Sequence, residues 1–327
     1  NREQSMSVYK PLLSIILPTL NEEKNIVRCL DSIGKQTYAH NKIEIVIADA
    51  ASTDNTLLLV EEWKQNNRIE INLVHNKKVV AEFGKSQALR TAKGNILCLL
   101  DCDEEFVQVD ALDCYVKAFR LFPDIIGVEP HFLKVPGGSI INNYMAVTHY
   151  TDPMGETIAV KPRVVESKEC EGKLYRKLEF GPAYGCMLFL KRKYVEFVLD
   201  GEQFHEGSIM PRLSMAGYNK MCMIDGYGVR HHHIASFSDF LRKRWKIAIK
   251  FTTRSRQTKT WVSYTPKNLY LHAFLNLTLV YELVRSIFKA IKMREPLWLC
   301  HAPMCFLSTS TYVVSLAYIK LSQKKAW

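Results

Sequence analysis

The sequence predicts an α/β protein with a mostly parallel sheet and helices on both faces of that sheet. Three nearly continuous apolar runs, at residues 13–17, 43–48 and 96–100, lack the regular alternation of a half-exposed strand. Such runs are typical of strands that are buried on both faces of a parallel sheet. Polar turns and helical patterns separate the runs, and strands that alternate with helices imply βαβ units.

The individual elements follow this rhythm from residue 12 to residue 130. The predicted strands are residues 13–17, 43–48, 71–74 and 96–100, of which the third is the weakest. Residues 18–23 form a turn into a helix that ends at Ile33, and further helices are expected at residues 83–92 and 110–121. Residues 131–235 lose the rhythm and are richer in glycine and turn residues, as expected of loops that shape a binding site.

The length of the chain limits its domain organisation, and its charge limits the kinds of partner that it can bind. With 327 residues there is room for one sizeable α/β domain and an appendage. The net charge of +11 favours acidic partners, namely sugar phosphates, nucleic acid or an anionic membrane. The excess is local, because residues 240–281 contain no acid and nine basic residues. These are Arg242, Lys243, Arg244, Lys246, Lys250, Arg254, Arg256, Lys259 and Lys267.

The nine cysteines are scattered, contain no C-x-x-C pair, and in several cases lie in apolar runs. This usage indicates reduced, buried thiols in a cytosolic compartment, and it argues against a disulfide framework or a zinc site. Residues 1–10 are polar and contain no apolar core of signal-peptide length.

Residues 236–327 are predicted to form a basic amphipathic segment and membrane-associated helices. Residues 297–319 carry no Asp, Glu, Lys or Arg, and a run of this length can cross a hydrocarbon core of ~30 Å. The alternative is a buried pair of helices in a soluble domain. The membrane is favoured because the run exceeds the usual length of a soluble helix and a basic stretch adjoins it. The apolar residues 269–281 are too few to span and fit an interfacial helix or half of a hairpin.

Polar and acidic side chains follow the ends of three predicted strands. They are Asn21 and Glu22, Asp49 and Asp54, and Asp101 and Asp103. Because the carboxyl ends of parallel strands meet at one edge of a sheet, these groups can surround one ligand. Carboxylates suit ribose hydroxyls and a Mg²⁺ or Mn²⁺ that also holds phosphates, so the set fits a nucleoside diphosphate. The alternatives are local: Asp101 and Asp103 cap the next helix, and residues 49–54 form a turn with an N-cap.

Residues 14–23, 47–56, 84–88 and 100–103, in this order and spacing, resemble the family-2 glycosyltransferases, and the resemblance covers about residues 12–235. It implies the GT-A fold with its Rossmann-like sheet. It also implies inverting transfer of a sugar from a nucleotide-sugar donor, a UDP- or GDP-sugar, with Mn²⁺ or Mg²⁺ as cofactor. The catalytic domain would comprise residues 1–235, with a nucleotide-sugar half at about 12–130 and an acceptor half at about 131–235.

The resemblance assigns donor binding to a set of residues at the predicted strand ends and on two helices. The set is Pro18, Thr19, Asn21, Glu22, Asp49, Asp54, Lys85, Asp101, Asp103 and Arg212. Within it, the turn from Pro18 to Glu22 and Asp49 would contact the nucleoside, and Asp101 and Asp103 the ribose and the metal-bound pyrophosphate. Lys85 and Arg212 would neutralise phosphate charge; the alternative for Lys85 is a solvated helix residue.

A further motif, Phe204-His205-Glu206-Gly207 followed by Arg212 and Gly217-Tyr218, is similar to the family's acidic pair, arginine and Gly-aromatic dipeptide. It implies that Glu206 is the catalytic base, while His205 departs from the second acid that the family usually has. A carboxylate in this position removes the proton of an acceptor hydroxyl as the oxygen attacks the anomeric carbon. The alternative is a surface acid in a loop.

The segment Val229-Arg230-His231-His232-His233 resembles the family's Val-x-His segment, whose histidine can complete the ligands of the metal. This implies a metal site of Asp103, Asp101 and His231; the alternative for His231 is a plain surface or core histidine. In an extended chain His233 lies on the same face as His231, because neighbouring side chains point in opposite directions.

The loop at residues 181–186 lies where related enzymes shape the sugar pocket, so Tyr184 is a candidate for stacking on a sugar. The alternative is that the glycines of this loop serve only to form a tight turn.

Residues 241–245, Leu-Arg-Lys-Arg-Trp, resemble the Q-x-x-R-W motif of processive polysaccharide synthases, with leucine in place of glutamine. The chain has too few apolar spans for a translocation channel, so a single-addition reaction is favoured. Arg244 and Trp245 are then expected to anchor a helix at lipid headgroups.

The leading hypothesis is a membrane-associated, metal-dependent glycosyltransferase with a cytoplasmic catalytic domain. Its expected partners are the nucleotide-sugar donor, a lipid-linked or glycan acceptor and membrane lipids, without nucleic acid and with homo-oligomers as an open option. A sugar-phosphate nucleotidyltransferase is disfavoured, because residues 18–21 form no Gly-rich loop for a triphosphate. A membrane-anchored nucleotide-sugar-binding module without turnover is the remaining alternative.

Overall fold

The structure, a computed structural model, describes residues 10–78, 81–158, 161–181, 189–199, 206–254 and 269–324. Its strands are β1 (Leu13–Thr19), β2 (Ile43–Asp49), β3 (Glu70–His75), β4 (Ile96–Leu99), β5 (Glu104–Phe106), β6 (Gly127–Val128), β7 (His131–Leu133), β8 (Arg163–Cys170), β9 (Lys173–Glu179), β10 (Phe189–Lys191), β11 (Lys220–Ile224) and β12 (Gly228–His231). Its helices are α1 (Ile26–Gly34), α2 (Thr56–Asn66), α3 (Ala81–Thr91), α4 (Ala111–Leu121), α5 (Ile140–Thr148), α6 (Pro153–Ile158), α7 (Arg192–Val198), α8 (Glu206–Met215), α9 (Phe237–Arg254), α10 (Leu269–Thr278), α11 (Val280–Met293) and α12 (His301–Lys324).

The four predicted strands are present as β1 to β4, and the three predicted helices as α1, α3 and α4. Helix α2 was not predicted, because only Thr56, Val60 and Trp63 are buried on it and its apolar periodicity is weak. Eight cysteines lie in the described part of the chain, and all eight are free thiols, as their scattered spacing predicted.

The chain divides into two compact units. The first unit comprises Asn1–His131 and Lys161–Val229, and the second comprises Phe132–Val160 and Arg230–Trp327. This division differs from the predicted boundary after residue 235, because α5 belongs with the C-terminal helices. On α5, Tyr144 and Met145 share a buried cluster with Ile234, Phe240 and Met304.

The main sheet has nine strands in the order β3-β2-β1-β4-β10-β6-β11-β9-β8. Strands β3, β2, β1 and β4 are parallel, whereas β10 runs antiparallel to both β4 and β6. Antiparallel pairing also joins β8, β9 and β11. The irregular residues after 131 therefore include strands that extend the predicted parallel sheet into a mixed one. The α/β fold class is confirmed.

A buried carboxylate fixes the start of β4 against β1 and β2. Glu44 accepts hydrogen bonds from the Ser14 hydroxyl at 2.5 Å, from the Gly94 amide at 3.1 Å, and from the amide of Lys93. A Cβ at Gly94 would lie 2.6 Å from the Ser14 nitrogen, so only glycine allows this close approach. The parallel strands are thereby held in one register from their first residues.

The second unit buries polar groups on its C-terminal helices. Arg244 is 2% exposed and lies 3.0 Å from Asp152, whose carboxylate also accepts hydrogen bonds from Ser308 and Tyr312. The expectation that Arg244 anchors the chain at lipid headgroups is therefore wrong, because the guanidinium pairs with Asp152 inside the unit.

Residues 296–322, which include α12, form one stretch that is long and apolar enough to cross a bilayer. The core helix of a soluble protein can have the same length and composition.

Candidate active site

The first unit brings the predicted site residues of β1, β2 and β4 to one edge of the sheet. Thr19 pairs with Asp49 in the parallel register of β1 and β2. The Leu100 amide donates to the Ile16 carbonyl, so the pairing of β1 with β4 continues beyond the end of β4. We call residues 18–23, 49–56 and 100–104 the acidic edge. Its position at the carboxyl ends of parallel strands is where open α/β sheets bind ligands.

Within the acidic edge, Ser52 joins the loops that follow β1 and β2. Its hydroxyl donates to an Asp49 carboxylate oxygen at 2.6 Å and accepts from the Asn21 amide at 2.9 Å. The Asn21 side chain accepts in turn from the Thr53 amide at 2.8 Å. Asn21 has a φ of 55°, in the left-handed region that asparagine tolerates better than most residues. Asn21 and Asp49 are thus held in one hydrogen-bonded frame.

The Asp54 carboxylate is engaged inside this frame. It accepts from the Thr56 amide at 3.0 Å, from the Thr56 hydroxyl at 2.5 Å and from the Glu23 amide at 3.2 Å. Burial raises the pKa of Asp54, but the hydrogen bonds from Thr56 and Glu23 outweigh it, so that the pKa is lowered. The neighbouring Glu22 amide donates to the same Thr56 hydroxyl at 2.8 Å. These contacts support the turn-forming role that the sequence left open for Asp54.

Asp101 and Asp103 lie in a turn that is closed by two hydrogen bonds between Asp101 and Glu104. The Glu104 amide donates to the Asp101 carbonyl at 2.9 Å, and the Glu104 carboxylate accepts from the Asp101 amide at 3.0 Å. The turn leads directly into β5, and the next helix, α4, begins only at Ala111. The alternative that the two aspartates cap a following helix is therefore excluded.

The buried side chain of Cys102 holds the same turn against the end of β1. It is buried, its sulfur lies 3.3 Å from the Thr19 hydroxyl, and it also contacts the Pro18 carbonyl at 3.5 Å. Burial raises the pKa of the Cys102 thiol strongly, and the Glu22, Asp101 and Asp103 carboxylates raise it further. The thiol is thus neutral at pH 7 and points inward, whereas Asp101 and Asp103 are each only half-buried.

Lys85 of α3 is a buried lysine that lies beside the acidic edge. It is 3% exposed, and its Nζ lies 3.1 Å from Asp101 Oδ1. Gly84 permits this position, because a Cβ there would lie 2.7 Å from the Asn76 amide nitrogen and 3.3 Å from the Ala48 Cβ. Helix α3 therefore passes close over the end of β2. The alternative of a solvated Lys85 is excluded.

The donor set of the acidic edge fits a divalent cation with hard oxygen ligands. Asp101 and Asp103 offer half-exposed carboxylates on either side of the inward-pointing Cys102. Mg²⁺ and Mn²⁺ prefer carboxylate oxygen, and they commonly bind through one or two carboxylates together with substrate phosphates.

The remaining predicted residues lie elsewhere. Glu206 is the first residue of α8, and Arg212 lies half-buried on the same helix in the first unit. His231 ends β12 in the second unit, where its ring centroid lies 4.6 Å from that of His233, as their shared face predicted. Tyr184, His205 and the side chain of Glu206 fall outside the part of the chain that the structure describes.

Ser52 and Glu104 are positioning residues that the sequence analysis did not assign. Ser52 lies within a segment that carried the family resemblance, and Glu104 directly follows another. Ser52 holds Asp49, and Glu104 holds the amide of Asp101. The available signal was their position, since serine three residues after a strand-end aspartate is typical of a side-chain hydrogen bond within a turn.

Sequence comparison identifies the class of the first unit. Residues 14–123 match the model of glycosyl transferase family 2. The dolichyl N-acetyl-α-D-glucosaminyl phosphate 3-β-D-2,3-diacetamido-2,3-dideoxy-β-D-glucuronosyltransferase of Methanococcus voltae is 29% identical over 121 residues, which are 36% of this chain and 37% of the relative. Glycosyltransferase AglE of Haloferax volcanii is 30% identical over 142 residues, which are 42% of this chain and 46% of the relative. This chain thus spans less than half the length of either relative.

Comparison with solved structures extends the likeness in fold to most of the chain. The mannosyltransferase PcManGT from Pyrobaculum calidifontis, solved in complex with GDP-Man and Mn²⁺, superposes with a TM-score of 0.54 at 17% identity. The superposition covers 94% of this chain and 88% of that one. The chain therefore has the GT-A fold, and its residues 14–123 match glycosyl transferase family 2, as its motifs predicted.

Proposed function

We propose that the protein transfers one sugar from a UDP- or GDP-sugar to a lipid-linked acceptor at the cytosolic face of a membrane, with inversion at the anomeric carbon. The observation that carries the proposal is the acidic edge, where Asp101 and Asp103 flank a neutral Cys102 and Lys85 lies 3.1 Å from Asp101. Carboxylates and a buried cation suit the hydroxyls and phosphates of a sugar nucleotide. The names of the relatives support a sugar nucleotide as donor and a dolichyl-linked acceptor.

Asp103, Asp101 and His231 would hold the Mn²⁺ or Mg²⁺ of this reaction. When bound, the ion supplies positive charge that stabilises the leaving diphosphate. The Mn²⁺ in the complex of the mannosyltransferase supports a divalent ion at this fold. Lys85 and Arg212 add fixed positive charge for the phosphates. Asp49, which Ser52 and Asn21 hold in place, takes the nucleoside together with the turn from Pro18 to Glu22.

Glu206 acts as the general base in this proposal. Its carboxylate removes the proton of the acceptor hydroxyl while that oxygen attacks the anomeric carbon from the side opposite the diphosphate. One bond forms as the bond to the diphosphate breaks, and this single displacement inverts the anomeric centre. The donor-binding residues of the first unit have no part in the proton transfer, so donor binding and transfer can be tested separately.

The second unit is proposed to hold the protein at the membrane, with lipids as partners. Residues 296–322 are long enough to span a bilayer, and the exposed Arg242 and Lys246 of α9 suit anionic headgroups. Homo-oligomerisation is compatible with this arrangement, and no role for nucleic acid is proposed.

The decisive experiment measures release of nucleoside diphosphate from a panel of UDP- and GDP-sugars with Mn²⁺, Mg²⁺ or EDTA. We expect metal-dependent release from one donor by the parent protein and none by Asp103→Asn. Glu61→Gln removes a charge from the exposed surface of α2 and should match the parent. Glu206→Gln should retain the shift in melting temperature that the donor causes, yet not transfer. Full turnover by Asp103→Asn would contradict the metal assignment, and a donor-induced shift without turnover in every sample, acceptors included, would favour a binding module.

A further inference from the structure

Helix α11 of the second unit turns its charged face inward. Glu282 and Ser286 are fully buried, and Arg285 and Lys289 follow at the spacing of one helix face. The Arg285 guanidinium donates to Glu282 at 2.9 Å and to Glu156 of α6 at 2.7 Å, and Lys289 pairs with Glu156 as well. A soluble helix normally directs such residues toward water.

The buried charges of α11 meet further polar groups from α5 and α12. His301, which is fully buried, lies 3.2 Å from Glu282, and its other ring nitrogen lies 2.6 Å from the Tyr144 hydroxyl. The Ser286 hydroxyl accepts from the amide of Ala302 at 3.1 Å. We call Glu156, Glu282, Arg285, Lys289 and His301 the inner polar cluster. Its members satisfy one another inside the unit, as charged residues on helices in a membrane do.

The opposite face of α11 is apolar and exposed. It consists of Leu283, Val284, Ile287, Phe288 and Ile291, which we call the outer apolar face and whose exposed fractions lie between 44% and 74%. Further exposed apolar side chains occur on α10 and α12, which both pack against α11. They are Tyr270, Leu271, Phe274 and Leu277 on α10, and Val313, Val314, Leu316, Tyr318 and Leu321 on α12. An apolar surface of this extent marks a site of contact with protein or membrane.

The charge of the second unit favours a membrane over another protein as the partner of this apolar surface. The second unit contains 18 Lys and Arg and five acids, of which Asp152, Glu156 and Asp239 pair with basic side chains of α9 and α11. Glu282 belongs to the inner polar cluster, and Glu295 pairs with Lys134. The unit is therefore basic overall, and its basic residues include the exposed Lys292 and Arg294 at the C-terminal end of α11. A second copy would bring the same positive charge, whereas an anionic bilayer offers the opposite charge to the rim and hydrocarbon to the outer apolar face.

We infer that α11 is a lipid-facing helix whose outer apolar face enters the bilayer of an anionic membrane while the inner polar cluster remains inside the protein. This rests on the proposed membrane association and names the surface responsible for it. Hydropathy alone does not find this helix, because the candidate span begins only at residue 296 and α11 contains Glu282, Arg285, Lys289 and Lys292. The direction of these side chains, rather than their number, makes the helix compatible with lipid.

The test is flotation of the full chain with vesicles of phosphatidylcholine, with and without phosphatidylglycerol. The double variant Val284→Asp/Phe288→Asp should float about tenfold less than the parent, because two apolar side chains lose their burial in lipid. Phe288→Leu keeps an apolar side chain and should float like the parent. Leu58→Asp places the same charge at an exposed apolar position of α2 in the first unit and should also have no effect. Equal melting temperatures in detergent establish that the variants are folded.

Two results would overturn this inference. In the first, the double variant floats like the parent, which means that α12 or another segment holds the chain. In the second, the double variant turns an oligomer into a monomer in the absence of vesicles while its flotation is unchanged, which makes the face a contact between copies. Donor-induced thermal stabilisation, measured on the same samples, separates this test from that of the proposed activity. Its absence in all samples, with flotation as expected, would count against the transferase alone.

Discussion

The ammonium group of Lys85 lies 3.1 Å from a carboxylate oxygen of Asp101, although the two residues belong to a helix and to the turn after a different strand. Lys85 is 3% exposed, so its charge depends on partners within the first unit. A buried charge is costly unless it is paired, and the same geometry leaves the cation beside the proposed diphosphate position. In the proposed function, Lys85 therefore links the position of α3 to donor binding.

Lys85→Met should weaken binding of UDP or GDP by about tenfold or more, because a hydrogen bond to a charged group contributes roughly 1.5–3 kcal/mol. Isothermal titration in the presence of Mn²⁺ measures the effect. Lys64→Met removes an exposed lysine from α2 and serves as the charge-matched control. Unchanged affinity in Lys85→Met would assign Lys85 to stability alone.

Gly84→Val should reduce donor affinity without removing any polar group from the site. The first added carbon would lie 2.7 Å from the Asn76 amide nitrogen and 3.3 Å from the Ala48 Cβ, so these neighbours or α3 must shift, and we expect Lys85 to move relative to Asp101. Arg90→Ala, an exposed substitution on the same helix, should leave affinity and melting temperature unchanged. A variant that melts earlier yet binds the donor normally would show that Lys85 tolerates displacement of its helix.

The Asp110–Lys173 pair should make stability depend on pH at both ends of the range. Lys173 lies 3.1 Å from Asp110, and the Tyr227 hydroxyl donates to Asp110 at 3.0 Å. Burial raises the pKa of Asp110, but hydrogen bonds from Lys173 and Tyr227 outweigh it and the pKa is lowered. The hydrogen bond to Asp110 raises the pKa of Lys173, while burial and the Asp110 hydrogen bond raise that of Tyr227 to about 12.

The sign follows from these directions. Asp110 contributes stability above its unfolded pKa, near 3.8, and the contribution is lost as the pH falls through the lowered folded value. Lys173 contributes below its unfolded pKa, near 10.5, and loses that contribution as the pH rises through the raised folded value. The melting-temperature difference between the parent and Asp110→Asn should therefore be largest at neutral pH and shrink toward pH 3 and toward pH 12. A difference independent of pH would exclude this pair as its source.

Glu282→Ala should destabilise the second unit by about 3–5 kcal/mol, because Glu156 then remains as the one buried carboxylate of the inner polar cluster beside both Arg285 and Lys289. Thermal unfolding in detergent measures this change. Glu295→Ala removes the partly exposed partner of Lys134 and should cost under about 1 kcal/mol. Equal effects of the two substitutions would mean that water reaches the inner polar cluster.

Local periodicity predicted the order of β1 to β4, because those strands are short, apolar and separated by turns. It also placed Asp49, Asp101 and Asp103 at one edge, since parallel strands share a direction. It did not reveal the burial of Lys85 or Arg244, because the partners of these two cations are distant in sequence. Periodicity also did not reveal that the charged face of α11 is buried. A helix with charges along one face has the same sequence pattern whether that face contacts water or the protein interior.

The bridge from Asn21 through Ser52 to Asp49 has a consequence for the thermodynamics of ligand capture. Loops that order only when a ligand arrives lose conformational entropy at that moment, and this loss weakens the complex. Here the two loops are already bonded to each other by Ser52 and Thr53, so their entropy is lost during folding. A nucleoside would then meet loops that are already ordered, and its binding would require no slow closing motion of them.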